Sequence, residues 1–392
     1  DKLLPLFSEM RKEWFTGLPQ ARLLIDAPQD VREHLAHGPY FEPTAGTARE
    51  GMKTFDNERF IRLPWEVAPS KTGPSSHWRW LSKGGEFSFF YSDIHLVLNW
   101  KEEGAELKQV NFDLNGSTAQ VRQASTYWGL PGATYSRRSS GFSARALPEG
   151  CIFTSNGPAI LPLNETNPLY LLGWVNSRPI RAFIHLNAGA YDNYSTGTLK
   201  RLPWKVPSSE DESRLSPYIE QAIVKAKLEC SRTDETSRWF TGFPLSSSLG
   251  EIIATVKHLK AERFNAEKQA LAKADEVISN LYGFPSLDWA NELLAESDST
   301  RDVSEETVAH ALADAEVDAA EISKNLLSFF VGIVFGRWQS QESNTEAMHE
   351  GILIPFATPP SSPPGLAETD AVGKSARSVI ALDRGTPGDL VA

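Results

Sequence analysis

A chain of 392 residues with 41% hydrophobic side chains is long enough for two or three folding units with real cores. Its formal net charge of −11 excludes a surface that is basic throughout, and eleven Trp with twenty Phe exclude disorder over most of the length. No apolar run reaches the roughly 18 residues of a membrane span, and Cys151 and Cys230 alone are too few for a disulfide scaffold or a thiolate zinc site, so a reducing cytoplasm with no membrane contact is expected.

The chain begins at Asp1, without an initiator Met or the pattern of a signal peptide, and reads as cut from something longer. Leu3, Leu4, Leu6, Phe7, Met10, Trp14 and Phe15 gather on one helical face, so residues 1–55 read as a helical and linker segment closed by a Gly/Pro/Thr cluster at 38–51. Residues 60–67, 87–91 and 94–100 have the β-branched and aromatic content of strands. Two more short strands, 151–153 and 159–161, flank the turn Ser155-Asn156-Gly157-Pro158. Residues 169–185 then predict a helix packed on the sheet through Leu171, Leu172, Val175, Ile180, Phe183 and Ile184, with Pro179 ending or kinking its first half. Residues 56–207 are thus expected to form one α+β domain.

Beyond Leu215 the texture becomes helical. Residues 216–230 and 249–282 are rich in Ala, Glu, Lys and Leu, and the second run is closed by Gly283 and Pro285. A helix of that length suits a spacer or hairpin arm projecting from the domain, assigned to 208–285. Residues 286–340 predict an acidic helical segment with Ser304 as an N-cap. Five prolines between 355 and 364, then a small, polar end, make 341–392 an extended or disordered tail. The fold class expected is α+β, a β-rich domain with packed helices followed by a mostly α-helical C-terminal region. Arg62-Leu63-Pro64-Trp65 echoes Arg201-Leu202-Pro203-Trp204, which reads as two strand ends stopped by proline rather than a repeat.

The window 127–207 runs against the charge of the whole. Arg137, Arg138, Arg145, Arg178, Arg181, Lys200, Arg201 and Lys205 face only Glu149, Glu165 and Asp192, eight positive against three negative charges. A basic island in an acidic protein is what a phosphate-binding surface requires, and aromatic and small polar residues among the cations favour a site that reads its polyanion. Three other chemistries are poorer fits. Asp93 followed by Glu106-Leu107-Lys108 could hold a divalent metal and a lysine as in a nuclease, but residues 101–108 also read as a solvated turn. Lys83-Gly84-Gly85-Glu86 lacks the further glycines of a phosphate loop, leaving a turn from which Lys83 could touch a phosphate. Ser139-Ser140-Gly141 has no nucleophile elbow, and Phe142 and Ala144 read as anchors of that loop.

At this point several motifs in order carry a resemblance. Lys83-Gly84-Gly85-Glu86-Phe87-Ser88 with residues 91–100, Arg137-Arg138-Ser139-Ser140-Gly141-Phe142-Ser143-Ala144-Arg145 with residues 147–153, Leu171-Leu172-Gly173-Trp174-Val175-Asn176-Ser177, Leu281-Tyr282-Gly283-Phe284 and residues 331–338 resemble the C-terminal part of large adenine-specific DNA methyltransferases. These enzymes occur in phage-defence systems of the BREX (PglX-like) and DISARM kind and in type IIG restriction–modification. The resemblance spans most of residues 56–364.

In that family a Rossmann-like domain binds S-adenosylmethionine and carries an Asn/Asp-Pro-Pro-Tyr/Phe motif, and this chain has neither that motif nor a glycine-rich loop after a strand. The resemblance therefore implies a DNA target-recognition domain with its helical C-terminal region, no cofactor in this chain, and S-adenosylmethionine in the full-length protein. Implied partners are double-stranded DNA, the methyltransferase catalytic domain of the same polypeptide, and other defence-system proteins. On that reading the expected DNA-binding residues are Lys83, Tyr135, Arg137, Arg138, Ser139, Ser140, Arg145, Tyr191, Asn193, Tyr194, Ser195, Lys200 and Arg201. The alternatives are a metal-dependent nuclease using Asp93, Glu106 and Lys108, and a non-enzymatic scaffold built on the long helices.

Overall fold

The computed structural model describes residues 31, 33–34, 37–139, 141–188, 193–246, 248–299, 319–339 and 350–366. The helical opening expected around Leu3–Phe15, the N-cap Ser304 and the end of the tail beyond 366 lie outside these residues.

Two four-stranded sheets face each other. The first has the order β1 (Gly46–Arg49), β8 (Ala159–Pro162), β5 (Gly132–Tyr135), β6 (Ala144–Leu147), all antiparallel. The second has the order β2 (Ile61–Arg62), β4 (Leu96–Asn99), β3 (Trp78–Ser82), β7 (Ile152–Phe153), with β3 and β7 parallel. Period-two alternation explains the layering. Ala133, Tyr135, Ala144, Ala146 and Ile160 point from the first sheet into a helical core, while Leu147, Ala159 and Leu161 point the other way. There they meet Trp80, Val97 and Phe153 of the second sheet, whose opposite face carries Leu81, Leu98 and Ile152 toward Leu107 on α1 (Lys101–Asn115). The order of layers is helices, sheet, sheet, helix.

Several expectations change on contact with this architecture. Residues 60–67 keep only two strand residues, because Pro64 starts a short 3-10 turn and lacks the donor that would continue the ladder. Residues 87–91 form no named strand; Phe90 alone bridges Arg145, donating to Ala144 O and accepting from Ala146 N. The turn expected at 101–108 is the start of α1, whose first turn carries left-handed backbone at Glu102, Glu103 and Gly104. The two strands around Ser155-Asn156-Gly157-Pro158 are present but belong to different sheets. The sequence echo also separates: Arg62 ends a strand, whereas Arg201 caps a helix, α4 (Thr196–Lys200).

The helix expected at 169–185 is two, α2 (Pro168–Asn176) and α3 (Arg178–Ala188), broken at the extended Ser177 with Pro179 tolerated in the first turn of the second. Asn167 caps α2 by accepting from the amides of Leu169 and Tyr170. The 25-residue α5 (Ser209–Thr233) opens on a Ser208/Asp211 capping box, and the 34-residue α6 (Leu249–Tyr282) runs from the Ser248 cap to a left-handed Gly283. α6 has the expected span but does not stand clear of the domain. Its Ala270, Ala274, Val277, Ile278 and Tyr282 share one core with α2, α3, α5 and the first sheet, and Ala266 is buried one turn earlier. Small alanines at four-residue spacing let α5 and α6 approach closely.

The acidic segment contributes α7 (Asp288–Ser299) and α8 (Ala319–Val334). The stretch 350–366 opens on one helical turn (Glu350–Leu353), continues through the prolines as irregular chain, and is fastened to the body. Lys227 donates to Gly351 O (3.2 Å) and Ile354 O (2.6 Å), Arg238 to Pro360 O (3.2 Å) and Ser361 O (2.7 Å), and Glu149 N to Phe356 O (3.0 Å). Lys227 and Arg238 are both buried, so two basic side chains from the helical side and one amide from the sheet side hold this strap.

Candidate nucleic-acid interface

Four loops meet at the C-terminal end of β5. They are residues 83–86 after β3, 136–139 after β5, the 155–158 turn, and 193–195 leading into α4. Ser136 is the hub: its hydroxyl donates to Gly85 O (2.6 Å) and accepts from Gly85 N (3.0 Å) and from Arg145 Nη2 (3.0 Å). Arg145 Nη1 also donates to Glu86 O at 2.7 Å. Arg137 ties in the other two loops, its N donating to Asn156 O (3.0 Å) and its carbonyl accepting from Tyr194 N (2.9 Å). Arg138 then bridges Asn193 in antiparallel fashion.

The turn presses backbone to backbone on the glycine pair. A Cβ at Gly157 would lie 2.3 Å from the amide nitrogen of Gly84. Gly157→Ala is therefore expected to push residues 83–86 away from the turn and lower stability by about 1–3 kcal/mol. Denaturant melts check this; a variant as stable as the parent would show that the two loops do not need their close approach.

The fold distributes the basic island unevenly. Arg145 is 2% exposed and has only uncharged partners; burial holds its guanidinium down to about 10. It braces loop 83–86 and is not a surface contact. Arg181 is buried as well, and Arg178 pairs with Asp275 at 3.2 Å. Lys200 is held 3.1 Å from Glu42, which also binds Arg49 (2.9 Å) and the Thr47 hydroxyl (2.6 Å). Burial opposes the charge on Glu42, but these partners outweigh it and keep its carboxyl below the usual range. Arg137 is fixed between Glu50 (3.0 Å) and Asn193 Oδ1 (3.0 Å).

Two aromatic candidates also move inward. Tyr135 is fully buried against Phe142, and burial raises its phenol far above the ordinary value. Tyr194 is buried against the other side of Phe142. Both pin the loop from below, and Phe142 is the apolar anchor expected for it. Ser195 is occupied as the N-cap of α4, and Ser139 donates to Gly141 O. Ser140 and Tyr191 lie outside the described residues.

What remains open to a ligand is narrower than the expected list. The Arg138 side chain is exposed and carries no hydrogen bond, ion pair or ring contact among the described residues. Arg201 is exposed, its Nε donating to Gly197 O (3.1 Å), and has no carboxylate partner among the described residues. Lys83 is half-buried with no ion-pair partner among the described residues, and desolvation lowers its amine. Sequence reasoning missed Glu42, Glu50 and Asn156, the groups that immobilise the neighbouring cations. Their only local signal is the position of Glu42 and Glu50 in the Gly/Pro/Thr cluster.

The nuclease residues are not brought together. Glu106 accepts from Arg59 Nε (2.8 Å) on the exposed side of α1, and Lys108 lies over the Trp100 ring at 5.5 Å. Asp93 instead accepts from the Tyr91 hydroxyl, with its second oxygen buried and unbonded. Among the described residues no group of three or more His, Cys, Asp or Glu could hold a metal ion. Residues 83–86 lead from β3 into irregular chain instead of a helix, so this glycine pair does not fit S-adenosylmethionine. No helix among the described residues is long and apolar enough to cross a membrane.

No protein-family model matches the chain. Over 344 residues, 83% of this chain, it is 27% identical to the adenine-specific methyltransferase PglX of Lacticaseibacillus casei (strain Zhang), covering 27% of that protein. Over 293 residues, 71% of this chain, it is 22% identical to the adenine-specific methyltransferase BrxX of Escherichia coli O9:H4 (strain HS), covering 22% of that protein. A solved structure of the type IIL restriction-modification enzyme MmeI in complex with DNA aligns with 65% of this chain and 35% of its own, at 16% identity and a TM-score of 0.39, a likeness too slight to bear on function. The chain spans about a quarter of the length of the curated relatives it matches. Its homologues are the adenine-specific methyltransferases PglX and BrxX.

Proposed function

We propose that this chain is the DNA target-recognition and C-terminal helical region of an N6-adenine DNA methyltransferase serving phage defence or restriction–modification. On this reading the S-adenosylmethionine-binding catalytic domain lies elsewhere in the same polypeptide, the protein works in the cytoplasm, and other proteins of the defence system are its further partners. The observation that carries the proposal is the 27% identity to PglX, spread over 83% of this chain but only 27% of that enzyme.

The physical logic is a division of labour. An enzyme that flips a base needs a catalytic pocket and a second lobe that grips the duplex. The gripping lobe needs cations on a rigid support, some for phosphates and some for base edges. Loops 83–86, 136–139 and 193–195, cross-bonded at the end of β5, give such a support to Lys83, Arg138 and Arg201.

Duplex affinity should fall steeply with salt. Lys83→Ala with Arg201→Ala should reduce the slope of log affinity against log salt by about two units, roughly 0.9 per lost phosphate contact. Anisotropy titrations at several salt concentrations test this; an unchanged slope places the DNA on another face. Arg145→Ala is a poor probe, because it would strand Ser136 and Glu86 O and loosen the loop. Calorimetric titration with S-adenosylmethionine should give no saturable binding, and micromolar affinity would refute the assignment of the cofactor to another part of the polypeptide.

A further inference from the structure

Within the basic window, Arg137 and Arg138 are adjacent yet in opposite situations. Arg137 is bonded on every side: backbone N to Asn156, backbone O from Tyr194, side chain to Glu50 and Asn193. Arg138 is bridged through its backbone to Asn193, while its side chain is exposed and without a partner among the described residues. Neighbouring residues in extended chain point to opposite sides, so the inward anchoring of Arg137 sends Arg138 outward. The platform beneath is stiff, with Phe142 wedged between Tyr135 and Tyr194.

From this geometry we infer that Arg138 is the specificity-determining residue of the interface, reading a guanine edge in the major groove, and that Arg137 is its positioning residue. The inference rests on the proposed recognition of duplex DNA and adds which residue reads it. Three considerations favour Arg138. A bidentate bond to guanine O6 and N7 needs a guanidinium free of other partners, and that of Arg138 has none among the described residues. Reading one base pair needs a backbone fixed in register, and three segments hold residues 136–138. Arg201 is the other exposed candidate, but it bends back onto Gly197 O at the end of its own short helix, which suits a phosphate contact better.

The test is selection from a randomised duplex library by the chain, alone and as Arg138→Ala, Arg138→Lys, Arg201→Ala and Glu50→Gln. The unaltered chain should enrich a motif containing at least one guanine. Arg138→Ala and Arg138→Lys should lose discrimination at one G·C pair by about 5- to 150-fold, with the rest of the motif kept. Lysine should not rescue, since a point charge cannot form the paired bonds. Arg201→Ala should weaken all sequences alike. Glu50→Gln should blur the same position as Arg138→Ala, a change that lost stability alone would not produce. An unaltered motif in Arg138→Ala, or uniform weakening of every sequence, would overturn the inference while leaving duplex recognition standing. If the unaltered chain binds no duplex, or enriches nothing, the recognition reading itself fails. The Arg138 side chain is exposed and makes no hydrogen bond or ion pair among the described residues, so its variants should melt with the parent.

Discussion

Lys227→Ala is expected to lower the unfolding free energy by about 3–5 kcal/mol, among the largest effects of any single change in this chain. Lys227 is fully buried, donates to two carbonyls of the strap and lies 4.6 Å from the centre of the Trp239 ring. Its removal leaves those carbonyls unsatisfied, opens a cavity and frees the strap at 351–354. Lys227→Met isolates the polar part, because it keeps the stem and drops the donor.

The same residue gives stability a pH dependence with a defined sign. Burial pushes the Lys227 amine down to about 7, against a weaker upward pull from Asp93. In the unfolded chain a lysine titrates near about 10.4. Between those values the unfolded state binds more protons than the native state, so stability rises with pH. The advantage of the parent over Lys227→Met should therefore be larger at pH 9 than at pH 6. Denaturant melts at the two pH values decide it, and a gap that stays constant would mean that the amine does not change its charge across this range.

How much of this was legible beforehand depends on the distance over which each feature is encoded. α6 was readable to its last residue, because the Ser248 cap, the apolar stripe and Gly283 are all local signals. Residues 60–67 depart from the expected strand because Pro64 ends it after two residues despite their apolar content. That β7 and β8 join different sheets was not readable at all, since pairing with Trp78–Ser82 or Gly46–Arg49 is non-local. The basic island shows the same limit in charge. Eight cations are visible in the sequence, but Glu42, Glu50 and Asp275, which take up Lys200, Arg137 and Arg178, lie about 85 to 160 residues away. Arg138 stands out only once its neighbours are accounted for. The strap was half legible: five prolines foretell an extended chain, but not the buried Lys227 and Arg238 that dock it.

Trp174→Ala is the second change of this size, at about 3–5 kcal/mol, and its reason lies in what the indole joins. Trp174 on α2 is buried, stacks on Phe41 at 5.2 Å and meets Trp204 edge-on at 4.9 Å. Its Nε1 donates to the Tyr282 hydroxyl (3.2 Å), which in turn donates to Pro203 O (2.6 Å). One ring thus connects α2, the end of α6 and the segment that follows Arg201. Trp174→Phe should keep most of the packing and lose the donor, costing about 1–2 kcal/mol. Combined with Tyr282→Phe it should show a coupling of about 0.5–1 kcal/mol, since both changes break one chain of bonds. Duplex affinity of the folded Trp174→Phe protein is expected to match the parent, because Glu42, Glu50 and Asn193 still hold the cations in place. A fall in affinity without a fall in stability would mean that the aromatic cluster sets the position of Arg201 through Pro203. The helical core would then be part of the recognition surface, acting at a distance, and not only its support.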